Sequence, residues 1–223
     1  MDEDLILMFV GRHHEDVTEL DNLWSQRNGC SIGSAICSLT TNKILQHALQ
    51  ICVNTNRQDT RNDVSLILRD VNRLEEILNM SFISTSSGDT VAPMVLDMIL
   101  HRNLNGVQQL ALYFKTATGN KLDDAIRKSS LDNMTKMIAV HAVRTAQDLT
   151  YRDIMNLKPV ISKPGREEDL AIRLVRAHWY GVHWEQTQAC WMGLNQQHFK
   201  DKVMKLPKGL FRDLILAMTG SSA

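Results

Sequence analysis

Apolar residues recur along this chain with the spacing of an α-helix. Val91, Met94, Val95, Met98 and Ile99 follow i, i+3, i+4, i+7, i+8, positions that share one helical face. Leu45, Ala48, Leu49, Cys52 and Val53 repeat the pattern, as do Val107, Leu110, Ala111 and Phe114, and Phe211, Leu214, Ile215 and Met218. Val64, Ile67, Leu68 and Val71 begin a further stripe. No stretch sustains the alternation of a half-buried strand, so the fold class read from the pattern is all-α.

Polar and breaker residues cut the stripes into short helices. Asn28-Gly29 ends one and Ser31 caps the next, because glycine adopts the left-handed conformation of a helix C-terminus and a serine hydroxyl accepts an orphan N–H. Gly119-Asn120 ends a helix over 104–118. Asp89 is the expected N-cap of the 91–99 stripe, with Pro93 inside the first turn, where its missing N–H costs little. Pro159 and Pro164-Gly165 are expected to bracket a loop, and Pro207-Lys208-Gly209 to open the last helix. The helices predicted are about 10–16 residues long.

The chain of 223 residues carries 25 basic and 25 acidic side chains, so neither a polybasic nucleic-acid arm nor an acidic tail is present. With 43% hydrophobic residues it has the composition of a globular protein rather than a disordered one. No run approaches the roughly 18 apolar residues of a membrane-spanning helix. The N-terminus, with Asp2, Glu3 and Asp4, lacks the positive start of a signal peptide. Cys30, Cys37, Cys52 and Cys190 form no CxxC pair, which argues against a zinc site and for buried thiols.

Three blocks, 1–54, 90–143 and 166–220, share an order of elements: an apolar helix, a polar joint, a longer helix, a short helix and a final apolar helix. Helical linkers over 61–78 and about 149–160 join them, as in arrays that stack apolar faces into one core. In this setting Met1-Asp2-Glu3-Asp4, Arg12 and Arg102, Leu122-Asp123-Asp124-Ala125-Ile126, and the ending from Phe211 to Gly220 resemble the annexin family. The likeness is diffuse but spans nearly the whole chain, and Met1 departs from it where the family has threonine. It implies an array of five-helix repeats (helices A to E) packed as a slightly curved disc, with repeats over 1–60, 61–148 and 149–223, the first lacking its first helix. The end of the A–B loop moves from Met1 to Thr90 and then to Arg166, steps of 89 and 76 residues. In annexins the longest step separates repeats two and three, so the expected content is repeats two, three and four. Either an N-terminally truncated chain or a genuine three-repeat protein fits that count.

The resemblance implies calcium-dependent, peripheral binding to anionic phospholipid membranes and a cytoplasmic location; it implies no particular oligomeric state. Calcium takes roughly six to eight oxygens. The family supplies them from loop carbonyls of a Gly-x-Gly-Thr turn and from a bidentate acid in the D–E loop. The acid positions correspond here to Leu39, Ser130 and Leu206, none of which is a carboxylate. Asp132 is a substitute ligand or, alternatively, a helix N-cap. The A–B loops read Thr85-Ser86-Ser87-Gly88-Asp89 and Lys163-Pro164-Gly165-Arg166-Glu167-Glu168. Gly165 could offer a carbonyl and Glu168 a carboxylate, or the segment is a turn whose acids complement a helix N-terminus. The resulting metal candidates are Gly165, Glu168 and Asp132, with calcium as the cofactor. The alternative function is a calcium-independent interaction or scaffold protein on a degenerate annexin frame, with protein partners.

Other constellations read structurally. His13-His14 diverge on a helix, and His178 and His183 miss the i, i+4 spacing of a helical metal pair. Trp179, Trp184 and Trp191, with Tyr180, suit either a headgroup-level anchor or a packed core. His141 lies on an apolar face, expected as a hydrogen-bonded core histidine. Arg12, Arg102 and Arg176 are expected to meet carboxylates or helix ends, and Asp123-Asp124 to be exposed helix charge. No phosphate loop, nucleophile elbow or HExxH is present, so no enzyme is expected.

Overall fold

The computed structural model describes residues 2–54, 63–79, 85–161, 163, 165–178, 182–206 and 208–219. At Cys37, residues 85–90, His178 and Val182 the description is of the backbone. Trp179 and Tyr180 lie outside the described residues. Among the described residues there are fourteen α-helices and no strand, as the periodicity predicts. The chain forms two compact units, Met1–Gln147 and Asp148–Ala223.

The first unit contains α1 (Asp2–Phe9), α2 (His14–Asn28), α3 (Ile32–Leu39), α4 (Lys43–Asn54), α5 (Val64–Asn79), α6 (Thr85–Leu100), α7 (Leu104–Thr118), α8 (Leu122–Lys128) and α9 (Asn133–Gln147). Helices α1, α2 and α3 gather on α4, and α6, α7 and α8 gather on α9. The same wiring of three helices on a fourth therefore occurs twice, and α4 joins the two sets by packing on α6 and α9. Helix α5 packs on α7. The second unit contains α10 (Leu149–Ile161), α11 (Glu167–His178), α12 (Val182–Asn195), α13 (Phe199–Val203) and α14 (Leu210–Met218). Here α10 packs on α11 and α12, and α14 on α11 and α13.

Several helices are shorter than the periodicity suggests: α1 and α3 have 8 residues, α8 has 7 and α13 has 5. Isolated helices below about 12–15 residues are marginal in water, so these form on packing. Most stripe positions turn inward: Leu45, Leu49, Leu96, Ile99 and Leu110 are completely buried, each contributing about 1.5–3 kcal/mol relative to exposure, whereas Val64, Leu68 and Leu214 are exposed. The second core centres on Trp184 and Trp191, which meet Phe199 edge-on at centroid distances of 5.4 and 5.1 Å. These two indoles are core side chains, not a headgroup anchor.

Caps follow the sequence closely. Gly29 and Gly119 end α2 and α7 in the left-handed conformation, with φ of 71° and 74°. Ser31 Oγ accepts from the Ser34 N–H at 3.1 Å, and Asn103 Oδ1 from the Gly106 N–H at 2.8 Å. Gly11 answers a different need: φ is 74°, and a Cβ there would lie 2.5 Å from Thr145 Cγ2, so only glycine lets the end of α1 approach α9.

Four expectations are corrected. Residues 85–89 are helical, so Asp89 does not cap the 91–99 stripe and Pro93 stands in the interior of α6. Propagation adds one hydrogen bond per residue once a nucleus exists, and Gly88 costs only about 1 kcal/mol against it. Pro159 likewise sits inside α10, whose last residues Val160 and Ile161 are buried and hold the turn beyond it. Asp123 is buried rather than exposed, because Arg127 and Arg144 converge on its Oδ2 at 2.5 and 3.1 Å. Cys30 is an exposed free thiol rather than a core one, since it follows Gly29 in the joint before α3; Cys52 is buried as expected.

Candidate functional site

The loop between α8 and α9 borders an open groove of about 440 Å³. Leu78 and Asn79 enter from the end of α5, Asn120 from the joint before α8, and Asp124, Lys128, Ser129 and Ser130 from α8 and its C-terminus. Ser129 closes α8, its N–H bonding the Ala125 carbonyl at 3.0 Å and its hydroxyl donating to the Ile126 carbonyl at 2.7 Å. Asp124 is half exposed and stands 3.7 Å from Arg127. The groove thus offers amide and hydroxyl oxygens with a single loosely held carboxylate.

Asp132 caps α9. Its Oδ1 accepts the Thr135 N–H at 2.9 Å, and its Oδ2 the Thr135 hydroxyl at 2.5 Å. Both oxygens are therefore engaged by the helix start. Ser130 is exposed beside the groove. Leu39, at the end of α3, and Leu206, after α13, are half-buried against the cores of their units.

In the second unit, Gly165 is exposed with φ of 77°. Its N–H donates to Glu167 Oε1 at 3.3 Å, and Arg166 pairs with Asp169. Glu168 is exposed in the first turn of α11. The acids thus complement the positive end of that helix, and it is Glu167, not Glu168, that reaches back to Gly165. Among the described residues no group of three or more His, Cys, Asp or Glu side chains is placed to hold a metal ion.

Elsewhere the basic residues behave structurally. Arg12 Nε donates to the Met8 carbonyl at 3.1 Å, at the end of α1. Arg102 is fully buried, bonded to the Met98 carbonyl and, at 2.8 Å, to Asp70. His141 is buried, as expected of a core histidine, and His13 precedes α2 at its N-cap position.

Two clusters escape sequence reasoning. Within the second unit, Asp153 is buried among Arg152 at 2.5 Å, His183 at 2.8 Å and the charge of Arg176. Burial opposes ionisation of that carboxyl, but the His183 hydrogen bond and the Arg152 and Arg176 charges outweigh it and hold Asp153 below the usual carboxylate range. In the first unit, His47 and His101 both approach Asp97 Oδ1. The i, i+4 spacing of Asp97 and His101 is visible in the sequence; their meeting with His47, fifty residues away, is not. Cys190 is raised above its ordinary range by burial and the Asp148 charge, which keeps its thiol protonated.

The all-helical fold is annexin-like. A structure of an annexin A8 point mutant superposes with a TM-score of 0.80 at 16% identity, over 97% of this chain and 66% of that one. Chicken annexin V matches with a TM-score of 0.78 at 13% identity, over 97% and 66%. Calcium-bound alpha-14 giardin matches at 0.74 and 13%, over 96% and 69%. The chain spans about two thirds of the length of these structures. No family model and no curated protein sequence matches it.

Proposed function

We propose that this chain is a peripheral membrane protein that attaches to anionic phospholipid with calcium as the bridging ion. The observation that carries the reading is the annexin-like fold over 97% of the chain. Zero net charge supports a bridging cation, because the protein has no bulk positive attraction for an anionic surface. In this reading the repeats span 1–60, 61–148 and 149–223. The donors available are the Gly165 carbonyl and the exposed Glu168 carboxylate in the second unit and, separately, the Asp132 carboxylate in the first. Each position fits a weak site only, since Leu39, Ser130 and Leu206 stand where bidentate acids are expected and calcium needs roughly six to eight oxygens.

A second reading is a calcium-independent interaction or scaffold protein. It is favoured by Asp132, whose two oxygens are both taken by Thr135.

Co-sedimentation with phosphatidylserine-containing vesicles, with calcium and with chelator, tests both. Pelleting with calcium alone is expected. Pelleting in neither condition overturns membrane binding, and equal pelleting in both overturns the calcium bridge. Asp132→Asn keeps a good cap while removing the charge; weaker calcium-dependent pelleting in that variant makes Asp132 a ligand, and unchanged pelleting makes it a cap alone.

A further inference from the structure

We propose that this chain associates with a second copy of itself through the outer faces of α11 and α14, with Leu214 of each copy packed on Val175 of the other. The surface is independent of the calcium reading above.

The two helices pack on each other and turn Leu170, Leu174 and Ala177 from one, and Ile215 and Leu216 from the other, into the core of the second unit. Their outer faces are apolar as well. Ile172 and Val175 on α11 are 39% and 48% exposed, and Leu210 and Leu214 on α14 are 90% and 57% exposed. Ala217 continues the second stripe and is exposed too. Spacings of i, i+3 and of i, i+4, i+7 put each set on one side of its helix. Contiguous exposed apolar surface of this kind marks an interaction site.

The first unit shows what covers such faces. There α9 and α6 hold the places of α14 and α11. Ile138 and Ala139 correspond to Ile215 and Leu216, 77 residues on, and Leu96 and Ile99 to Leu174 and Ala177, 78 residues on, all of them buried. Helix α4 corresponds to α9 in turn, with buried Ala48 and Leu49 lying 90 residues before Ile138 and Ala139. It packs on both α6 and α9, and His47 of α4 meets Asp97 of α6 at 2.9 Å. Contact runs the other way too, since the end of α1 approaches α9 where Gly11 faces Thr145. The two sets thus join with the first helix of each against the last helix of the other, the form of a two-fold, self-complementary interface. In the second unit Leu214 takes the place of His47 and Val175 that of Asp97. A second copy brings the same set of helices to this face, and the polar contact of the first unit becomes an apolar one made twice.

Asp213, exposed between Leu210 and Leu214, would turn a carboxylate toward an anionic lipid surface. At a protein interface Arg212 accompanies it at 3.4 Å, so the occupant is a protein face. Helices of 12 and 9 residues are about 18 and 14 Å long. An interface of that extent falls below the roughly 1,200 Å² of stable complexes, so the dimer is weak and reversible.

Sedimentation velocity of the full chain tests this, with reductant present because the Cys30 thiol is exposed. A reversible monomer–dimer equilibrium is expected from about 1 to 200 µM, the range that so small an interface supports. Leu214→Glu and Val175→Lys should each weaken it by at least about tenfold, because a charge is buried without a partner. The chain carrying both should recover, since the opposite charges then meet across the interface. Both positions are exposed in the single chain, so helix content by circular dichroism should be unchanged. A monomer at every concentration overturns the proposal, as does a dimer that both single variants leave intact. A double variant no tighter than the single ones overturns the pairing of Leu214 with Val175. Loss of calcium-free vesicle pelleting in Leu214→Glu assigns the face to lipid and overturns the proposal as well. Should a variant lose helix content, Leu214→Ala replaces it, with weaker dimerisation expected and unchanged affinity overturning.

Discussion

The two units place an acid–arginine pair between successive helices and treat it differently. In the first, Asp70 of α5 keeps 13% of its side chain exposed and meets Arg102 at 2.8 Å, with Arg69 at 3.7 Å. In the second, Asp153 of α10 is 4% exposed and stands among Arg152, Arg176 and His183. The difference follows from what surrounds each acid. The first unit has an extensive aliphatic core, and its pair sits at the edge of an open groove. The smaller unit fills its centre with two tryptophans and draws Arg152, Arg173 and Arg176 inside as well. In the first pair only the acid reaches the groove edge, while Arg102 is fully buried; Asp153, in the interior, depends on every partner it has.

The largest test of that contrast is a pair of isosteric substitutions. Asp153→Asn leaves buried arginines without their carboxylate and should cost about 3–5 kcal/mol. Asp70→Asn should cost about 1–3 kcal/mol, because Arg102 keeps the Met98 carbonyl. Denaturant unfolding measures both, and equal losses would break the comparison.

A second pair separates backbone crowding from backbone conformation. Gly11→Ala in the first unit combines a left-handed φ with a collision against Thr145, and should cost about 2–4 kcal/mol. Gly165→Ala in the second has a similar φ but open space around it, so about 1–2 kcal/mol is expected. Thermal melts of the two variants check the order.

The smallest effect is the pH dependence of the second unit. The folded state holds Asp153 below the ordinary carboxylate range, so its contribution is fully present above about pH 4 and is lost as pH falls through the lower native value. Acid titration followed by the fluorescence of the buried Trp184 and Trp191 should show this loss, and Asp153→Asn should flatten it. A profile of the same shape in that variant would assign the acid sensitivity to other groups.

Local features were legible in advance. Gly29, Gly119 and Ser31 are caps because a left-handed turn and an orphan N–H impose residue types at fixed offsets. Most apolar stripe positions turned inward for the same reason of period; Val64, Leu68 and Leu214 did not. Pro93 and Pro159 misled because a proline reads as a boundary from its own chemistry alone, while buried neighbours can carry a helix past it. Asp123 misled because Arg144, which helps bury it, lies twenty-one residues away. At the candidate calcium positions, Leu39, Ser130 and Leu206 were readable as non-acids, but that Thr135 occupies both oxygens of Asp132 emerged only from the geometry.

What the sequence determined by itself is a set of short amphipathic helices, their caps and the repeat that orders them. Those properties come from interactions within a few residues, where period and side-chain type suffice. The tertiary structure decided which charged groups meet: Asp70 with Arg102, Asp153 with His183, His47 with Asp97, separated by 32, 30 and 50 residues. Such pairs depend on which helical faces pack together, and hydrophobic burial is non-directional. The pattern of apolar residues therefore says that a face is covered, and only the packed chain says by what.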